Sequence, residues 1–198
     1  PTVRRCGQPF KLGFKGEDRW GNPSHQVAGT FSIKSNLPVD GLPAAITLQR
    51  GEYAKIIDGL SASATGEIVI EVADAAGKLV CTSNPLRIIE NAADASELLP
   101  YWADLHGQSE ETIGTNSARE LIEFARDRAF LDAMSHQGND FQITTPFWEE
   151  LNRLTAEFNR DGSFIFFPGY KWSGNTGLGG DRNVLFMHEG RQIHRSHH

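Results

Sequence analysis

The sequence lacks the features that mark several classes of protein. Its two cysteines, Cys6 and Cys81, fit no metal-ligand spacing and are too few for a disulfide framework, although a single disulfide between them stays open. No apolar run approaches the roughly 18 residues that a membrane-spanning helix needs. The first residues also lack the apolar segment of a signal peptide. We therefore expect a soluble chain that does not bind a membrane.

Positive charge is scarce as well. The net charge is -6 and is unevenly placed, because residues 1–95 hold 10 basic and 10 acidic side chains whereas residues 96–198 hold 9 and 15. A protein that binds the phosphate backbone of nucleic acid needs a basic stripe. Nucleic acid is therefore not an expected partner.

The chain does have enough apolar residues to fold. It contains 198 residues, of which 39% are hydrophobic and 22% charged, and this suits one large domain or two small ones. Its start at Pro1 indicates a processed or excised piece, so a cytoplasmic or an exported location stays open. The oligomeric state is open too.

Short alternating segments broken by turn residues fill the first half of the chain. This pattern indicates β-strands, and the clearest one runs from Glu67 to Val72. Strands that recur at this spacing predict an immunoglobulin-like β-sandwich over residues 1–92, with a structural role. The predicted strands are 10–14, 29–33, 45–48, 66–72, 78–82 and 86–89.

The pattern changes after residues 91–97, a stretch rich in Ala, Asp and Ser that we interpret as a domain boundary. Ser117 and Glu120 have the spacing of a capping box, and Thr145-Pro146 is typical of another helix start, with Thr145 as the N-cap. The two helices alternate with predicted strands at 101–106, 131–135, 163–167 and 182–187. Such alternation predicts a parallel sheet, so we expect an α/β domain over residues 97–198.

Polar residues follow the predicted strands of this second half. In a parallel α/β sheet, ligands bind beyond the carboxyl ends of the strands. Buried polar groups are costly unless they are paired or bound to something. Convergent His, Asp, Asn and Lys side chains at four strand ends therefore predict a functional site. These polar segments are residues 104–109, 135–140, 168–174 and 179–183.

Histidine is concentrated in the same half, and only His25 of the seven lies in the first half. Imidazole and carboxylate groups together are what a divalent metal ion requires. His197 and His198 end the chain as a vector-derived tag would, so we give them no role. Structural interpretations stay open for Asp104 as a turn cap, His136 as a buried hydrogen-bonded imidazole, and Trp148 and Trp172 as packing residues.

Several of these motifs resemble a known family. Asp104-Leu105-His106-Gly107-Gln108-Ser109 is similar to the Asp-x-His-x-His opening of the polymerase-and-histidinol-phosphatase (PHP) superfamily. The downstream motifs more closely resemble domain-of-unknown-function family 3604, a PHP-like group. The first half, which ends in Ser83-Asn84-Pro85-Leu86, resembles the β-rich segment that precedes the PHP-like part in that family. The downstream motifs are Gly114-Thr115-Asn116-Ser117, the His136 loop, Gly169-Tyr170-Lys171-Trp172-Ser173-Gly174 and Gly179-Gly180-Asp181-Arg182-Asn183-Val184.

The resemblance covers nearly the whole chain and implies a PHP-like β/α barrel that binds up to three divalent ions, usually for phosphoester hydrolysis. Carried onto this chain, it implies a site for zinc or manganese and a small-molecule substrate. If the chain is such a hydrolase, the expected metal ligands are His106, His136 and Asp140. The expected catalytic residues are Asp104, which could also be a ligand, Lys171 and Asp181, and the expected substrate contacts are Gln108, Asn139, Arg182 and Asn183.

The chain also departs from the superfamily pattern. Gln108 replaces the second histidine of the first motif, and the segment around Ser135-His136-Gln137 replaces a Thr-Asp-His motif. Lys171 replaces a glutamate, and a cation there would repel a metal ion or pair with an acid such as Asp181 or Asp140. The later Asp-x-His motif is missing, so we expect a truncated barrel and the front part of a longer protein.

Three functions follow from this comparison. The first is a metal-dependent hydrolase of PHP-like type, such as a phosphoesterase, in the complete protein. The second is a degenerate PHP-like domain that binds a ligand or partner without turnover, as Gln108 and Lys171 would suggest. The third is a purely structural protein whose β domain is an interaction module.

Overall fold

The computed structural model describes residues 1–91, 98–174 and 177–196, and its contacts divide the chain into two compact units. The N-terminal unit is Pro1–Tyr101 and the C-terminal unit is Trp102–His198. The fold is mixed α/β, and the regular elements among the described residues are two helices and fourteen strands. None of the helices found there is long and apolar enough to cross a membrane.

In the N-terminal unit, the described residues form nine strands in three sheets. The sheet orders are β1-β9-β6, β2-β5 and β4-β3-β7-β8, and β1 runs parallel to β9 while the other pairs are antiparallel. All three sheets contribute to one apolar core, which includes Phe10, Ile33, Leu60, Ile68 and Ile88. The strands are β1 (Val3–Arg5), β2 (Phe10–Lys15), β3 (Gly29–Ser35), β4 (Ala45–Leu48), β5 (Ala54–Leu60), β6 (Gly66–Ile68), β7 (Ile70–Ala73), β8 (Leu79–Thr82) and β9 (Leu86–Ile89).

The strand that the sequence predicts over residues 66–72 is two strands, which meet at Val69. β6 pairs with β9, whereas β7 pairs with β3 and β8, so the chain passes from one sheet to another at this residue. Asn36 takes the place of a neighbouring strand there: its side-chain oxygen accepts the Val69 N–H at 2.8 Å and its backbone N–H donates to the Val69 carbonyl at 3.2 Å. The apolar alternation continues through Val69, which is why the sequence does not reveal the break.

Sequence analysis does not predict β1 and β5. β1 has only three residues, two of them arginine, and β5 contains Lys55, Asp58 and Gly59. A run this short or this polar has no clear period-2 signal, and tertiary pairing decides its conformation.

The C-terminal unit begins with alternating strands and helices. β10, β11 and β12 form a three-stranded sheet in that order, and both pairings are parallel. The predicted parallel sheet is thus confirmed. The core beside it includes Ile122, Met134, Leu151, Leu154 and Phe166. The elements are β10 (Ala103–Gly107), α1 (Ala118–Asp127), β11 (Ala133–His136), α2 (Thr145–Phe158), β12 (Ile165–Phe167), β13 (Gly169–Gly174) and β14 (Gly180–Leu185).

Both helices begin at polar caps. The capping box of α1 is confirmed, because the Ser117 hydroxyl accepts the Glu120 N–H while the Glu120 carboxylate accepts the Ser117 N–H. The N-cap of α2 is Thr144 rather than the predicted Thr145: the Thr144 hydroxyl accepts the Phe147 N–H, and the proline falls within the first helical turn. A run of two threonines leaves the cap ambiguous by one residue when only the sequence is read.

The strand predicted over residues 182–187 does not join the parallel sheet but overlaps β14, which pairs with β13. Residues 168–174, predicted as a loop, contain β13, which forms an antiparallel hairpin with β14. Gly180, with a φ of 62°, begins β14 in the left-handed region that favours glycine. The glycine-rich segment reverses the chain, so β14 returns along β13 instead of crossing over to continue the parallel order.

The two-unit division generates a first prediction. Of the predicted boundary, residues 92–97 lie outside the described residues. Because small and polar linkers are preferred cleavage sites, we expect elastase and endoproteinase Glu-C to cut first within residues 91–97. Mass spectrometry of early digests should show two fragments of nearly equal size. First cuts confined to residues 101–190, or one resistant core, would contradict this.

Candidate functional site

Polar side chains from β10, from the segment after β11 and from both strands of the β13–β14 hairpin lie near the carboxyl end of β10. We call Asp104, His106, Asn139, Lys171, Ser173, Asp181 and Asn183 the carboxyl-edge cluster. Ser173 lies directly opposite Asp181 in the hairpin, and Lys171 lies opposite Asn183. Alternation along the two strands therefore puts these four side chains on one face. The Asn183 amide donates to the Leu105 carbonyl at 3.2 Å and links the hairpin to β10.

An ion pair lies at the centre of this cluster. The Lys171 Nζ is 3.1 Å from Asp181 Oδ2, and the lysine side chain is only 15% exposed. The pairing of Lys171 with Asp181 that the sequence suggests is confirmed. The hydrogen bond from Lys171 lowers the pKa of Asp181 below its ordinary value, and Ser173 and the charge of His106 act in the same direction. The carboxylate is thus ionised and already compensated by a cation.

His106 and Asp104 lie on exposed positions of β10. The Asp104 carboxylate accepts the His106 backbone N–H at 2.8 Å, so Asp104 acts as a local cap where the ladder with β11 is irregular. The charge of His106 is among the influences that lower the pKa of Asp181, so the two side chains are close enough to interact. These two residues remain accessible to a ligand.

His136 is in a different environment, with 1% of its surface exposed. Its Nε2 lies 2.8 Å from the Ser109 hydroxyl and 3.1 Å from the Ser109 backbone nitrogen, and its Nδ1 lies 3.2 Å from the Gly138 backbone nitrogen. Both ring nitrogens therefore face backbone N–H donors. Burial lowers the pKa of His136 to about 4, so the ring is neutral at pH 7.

The Ser109–His136 contact has the length of a nucleophile–base pair, but both side chains are buried. No substrate reaches Ser109 in this arrangement. The pair instead joins the segment after β10 to the segment after β11. Gly138 makes this possible, because a Cβ there would come within 2.9 Å of the His136 ring and 2.4 Å of Thr112.

Asp140 is fully buried and anchors backbone. One carboxylate oxygen accepts the Ser173 N–H at 2.9 Å, and the other accepts the Ser196 N–H. Arg195 donates to the Asp140 carbonyl. Asp140 therefore fixes the position of β13, and through it the Lys171–Asp181 pair.

The residues expected as metal ligands do not come together as such a site within the part of the chain that the structure describes. His106 is exposed, whereas His136 and Asp140 are buried and use their ligand atoms in hydrogen bonds to the protein. Across residues 1–91, 98–174 and 177–196, no three His, Cys, Asp or Glu side chains come together as a metal site. The zinc or manganese site thus stays a prediction that would require donors from elsewhere.

The residues implied as substrate contacts divide between two faces. Asn139 and Asn183 belong to the carboxyl-edge cluster. The Gln108 side chain instead accepts a hydrogen bond at 3.0 Å from Thr112, four residues further along the chain. Arg182 lies opposite Trp172, on the other face of the hairpin, with its guanidinium 5.8 Å from the indole centroid. Alternation along β14 therefore separates Arg182 from Asp181 and Asn183, which lie on the opposite face.

Sequence reasoning missed three polar residues of this region. Ser109 and Gln137 are fully buried, and Ser173 donates to Asn139 at 3.0 Å. Once residues 169–174 are read as a strand, the two-residue spacing puts Ser173 beside Lys171. Gln137 bonds Ser135 at 2.8 Å and the Val184 carbonyl at 3.2 Å, and no sequence signal marks this role.

The buried imidazole generates a second prediction, on stability and pH. Unfolding lets His136 bind a proton near its ordinary pKa of 6.5, whereas the folded ring does so only near 4. The unfolded state therefore binds more protons between these values, and stability falls as pH falls through this window. We expect His136→Gln to reduce the loss of unfolding free energy between pH 7 and pH 5 by about 2 kcal/mol.

Urea unfolding followed by fluorescence of the buried Trp148 measures this difference. His188→Gln is the matched control, because His188 is exposed, and it should keep the wild-type pH dependence. The measured quantity is the difference in unfolding free energy between pH 7 and pH 5. A loss of stability in His136→Gln that is equal at both pH values therefore leaves this difference unchanged. An unchanged difference in that variant would show that His136 is not a buried neutral ring.

Comparison with known proteins gives relatives but no family. No protein-family model matches the chain. An uncharacterized protein of Chlamydia pneumoniae is 29% identical over 90 residues, which are 44% of this chain and 14% of that protein. An uncharacterized protein of Chlamydia trachomatis is 28% identical over 136 residues, 68% of this chain and 21% of that protein. The chain thus aligns with less than a quarter of the length of either relative.

Among solved structures, a protein named as a candidate glycoside hydrolase from Bacteroides vulgatus matches 71% of this chain and 29% of its own. Its sequence identity is 12% and the TM-score is 0.26, and a likeness this low carries no argument about fold or activity.

Proposed function

We propose that the C-terminal unit is a PHP-like domain that binds a polar small molecule without holding a catalytic metal ion of its own. The observation that supports this is the Lys171–Asp181 ion pair, at 3.1 Å, in the carboxyl-edge cluster. The family resemblance implies a metal-binding glutamate at Lys171. This chain has a cation there, and its nearest acid is already paired.

Electrostatics favours this proposal over a weakened metal site. At ~4 Å, two unit charges interact by about 4 kcal/mol at an effective dielectric constant of 20, and a divalent ion doubles the repulsion from a lysine. His136 and Asp140 cannot compensate, since hydrogen bonds occupy their ligand atoms. Binding a cation would require Lys171 to move away from Asp181 first.

The same side chains suit a ligand with an anionic or hydroxyl group. Lys171 supplies a cationic donor, the amides of Asn139 and Asn183 donate and accept, and His106 is exposed beside them. A ligand anion could share Lys171 with Asp181 or replace it.

Asp104 and His106 support a second function, the metal-dependent hydrolysis of a substrate such as a phosphoester, as in the PHP superfamily. Both side chains are exposed near Asp181, so they are accessible to a metal ion that further ligand residues also bind. The remaining ligands would come from outside residues 1–198. The lengths of the Chlamydia relatives leave room for such residues.

The finer features of the fold belong to the same proposal. We infer an immunoglobulin-like β-sandwich for the N-terminal unit, which is supported by three sheets that share one core. We infer part of a PHP-like β/α barrel for the C-terminal unit, which is supported by the parallel order β10-β11-β12 with a helix between successive strands.

The deciding experiment is Lys171→Glu, tested by titration calorimetry with zinc and with manganese. If Lys171 has its own role, the introduced carboxylate faces Asp181 without a cation, which lowers stability because like charges repel. We expect a lower melting temperature and metal affinity within about tenfold of wild type. Both forms should lack His197 and His198, which could bind metal themselves.

Two variants control for this change. Lys171→Gln removes the charge without adding a carboxylate, and the double variant Lys171→Glu/Asp181→Lys restores an ion pair with reversed polarity. The double variant should recover part of the lost stability. Tighter metal binding in Lys171→Glu at unchanged stability would instead support the hydrolase.

A further inference from the structure

The chain after β14 has no helix or strand in its described part, yet polar side chains of the C-terminal unit hold it in place. We call residues 190–196 the strap. Four side chains, from α2, from β13 and from the segment after β11, make hydrogen bonds to the backbone of the strap. They are Asn152, Trp148, Tyr170 and Asp140.

Two of these hydrogen bonds attach the strap to α2. The Asn152 side-chain oxygen accepts the Gly190 N–H at 2.7 Å, and the Trp148 indole N–H donates to the Arg191 carbonyl at 2.8 Å. Trp148 is buried, and a buried indole N–H needs a hydrogen-bond partner. The first two residues of the strap are therefore fixed on the helix.

The other two hydrogen bonds lead to β13, on either side of Lys171. The Tyr170 hydroxyl accepts the His194 N–H at 3.2 Å. The Asp140 carboxylate accepts the last N–H of the strap with one oxygen and the Ser173 N–H of β13 with the other. The strap is thus connected to the residue before Lys171 and, through Asp140, to the second residue after it.

Little apolar surface holds the strap in this position. Ile193 is partly buried against the apolar core. The Ser196 hydroxyl is buried without a hydrogen-bond partner among the described residues, and this costs free energy in the docked position. A segment held by a few hydrogen bonds opens more easily than the core unfolds. The exposed residues of the strap are Gly190, Arg191, Gln192 and His194.

We propose that the strap is a latch on the carboxyl-edge cluster, so that its docking and the position of Lys171 are coupled. When the strap is docked, Tyr170 and Asp140 hold β13 where Lys171 reaches Asp181. When it opens, β13 loses its direct contact with the strap, and Asp140 loses one of the two partners that fix its carboxylate. Coupling is reciprocal, so a ligand that fixes Lys171 also favours the docked strap. This last step rests on the proposed function, whereas the coupling itself does not.

Hydrogen exchange followed by NMR on the 198-residue chain tests the coupling. Asn152→Ala removes one of the hydrogen bonds on α2, at the end of the strap that does not contact β13. We expect the Trp148 indole N–H and the Ser173 backbone N–H both to exchange at least about threefold faster, because the strap opens more often. The Ser173 N–H reports on Asp140, to which it is bonded.

Two variants control for this change. Asn152→Asp keeps an oxygen that accepts the Gly190 N–H but loses the amide's own bond to the Trp148 carbonyl, so it should restore the wild-type exchange rates. Gln192→Ala changes an exposed side chain of the strap and should have no effect. The N–H groups of β11 should keep their rates in every variant, which separates opening of the strap from unfolding of the whole unit.

Tyr170→Phe gives an independent measurement, because it removes the acceptor of the His194 N–H and keeps the ring. We expect the Trp148 indole N–H, at the other end of the strap, to exchange at least about threefold faster here too. Faster exchange at Trp148 with an unchanged Ser173 N–H in Asn152→Ala would overturn the proposal. Equal exchange at Trp148 in the variants and the wild type would also overturn it. The experiment uses no ligand, so neither result decides the proposed function.

Discussion

The carboxyl edge of the C-terminal unit depends on the burial of a neutral histidine. His136 faces Ser109 through one ring nitrogen and Gly138 through the other, so a single side chain ties the segment after β10 to the segment after β11. The neutral ring carries one N–H, and a second proton would add a charge that burial opposes and would leave neither ring nitrogen able to accept a backbone N–H. Asp140, four residues later, accepts the Ser173 N–H of β13, so these two buried side chains connect the segments after β10 and β11 with the hairpin.

The polar residues of this region fall into two groups that differ in burial and in the hydrogen bonds they make. The buried group, Ser109, His136, Gln137 and Asp140, uses its hydrogen bonds within the protein. The second group includes His106 and Asp181, which are exposed at the strand ends, and Lys171, which is partly exposed and paired with Asp181. The family resemblance draws its implied metal ligands from both groups, and this is why those ligands do not converge.

The sequence predicts the regular parts of the fold well. The capping box at Ser117 and the periodicity of α2 are local signals, and both helices form as expected. It also gives Asp181 as one of two acids that could pair with Lys171, and the structure shows that pair, although the sequence does not indicate the hairpin that brings the two together. The burial of His136 depends on contacts between segments that are distant in the sequence, and so does the assignment of residues to the two faces of the hairpin. Such contacts leave no local signal in a single sequence. For the same reason the sequence does not reveal that Arg182 lies on the opposite face of the hairpin from Lys171 and Asp181.

The passage of one chain between two sheets at Val69 has a consequence for how the N-terminal unit folds. β6 and β7 are separated by a single residue, so neither of their sheets can gain its full pairing until the other has set the direction of this segment. The Asn36 side chain closes the gap, and it lies at the end of β3, in the second of these sheets. Such shared chain couples the formation of the sheets and favours a cooperative, all-or-none transition over the stepwise loss of one sheet.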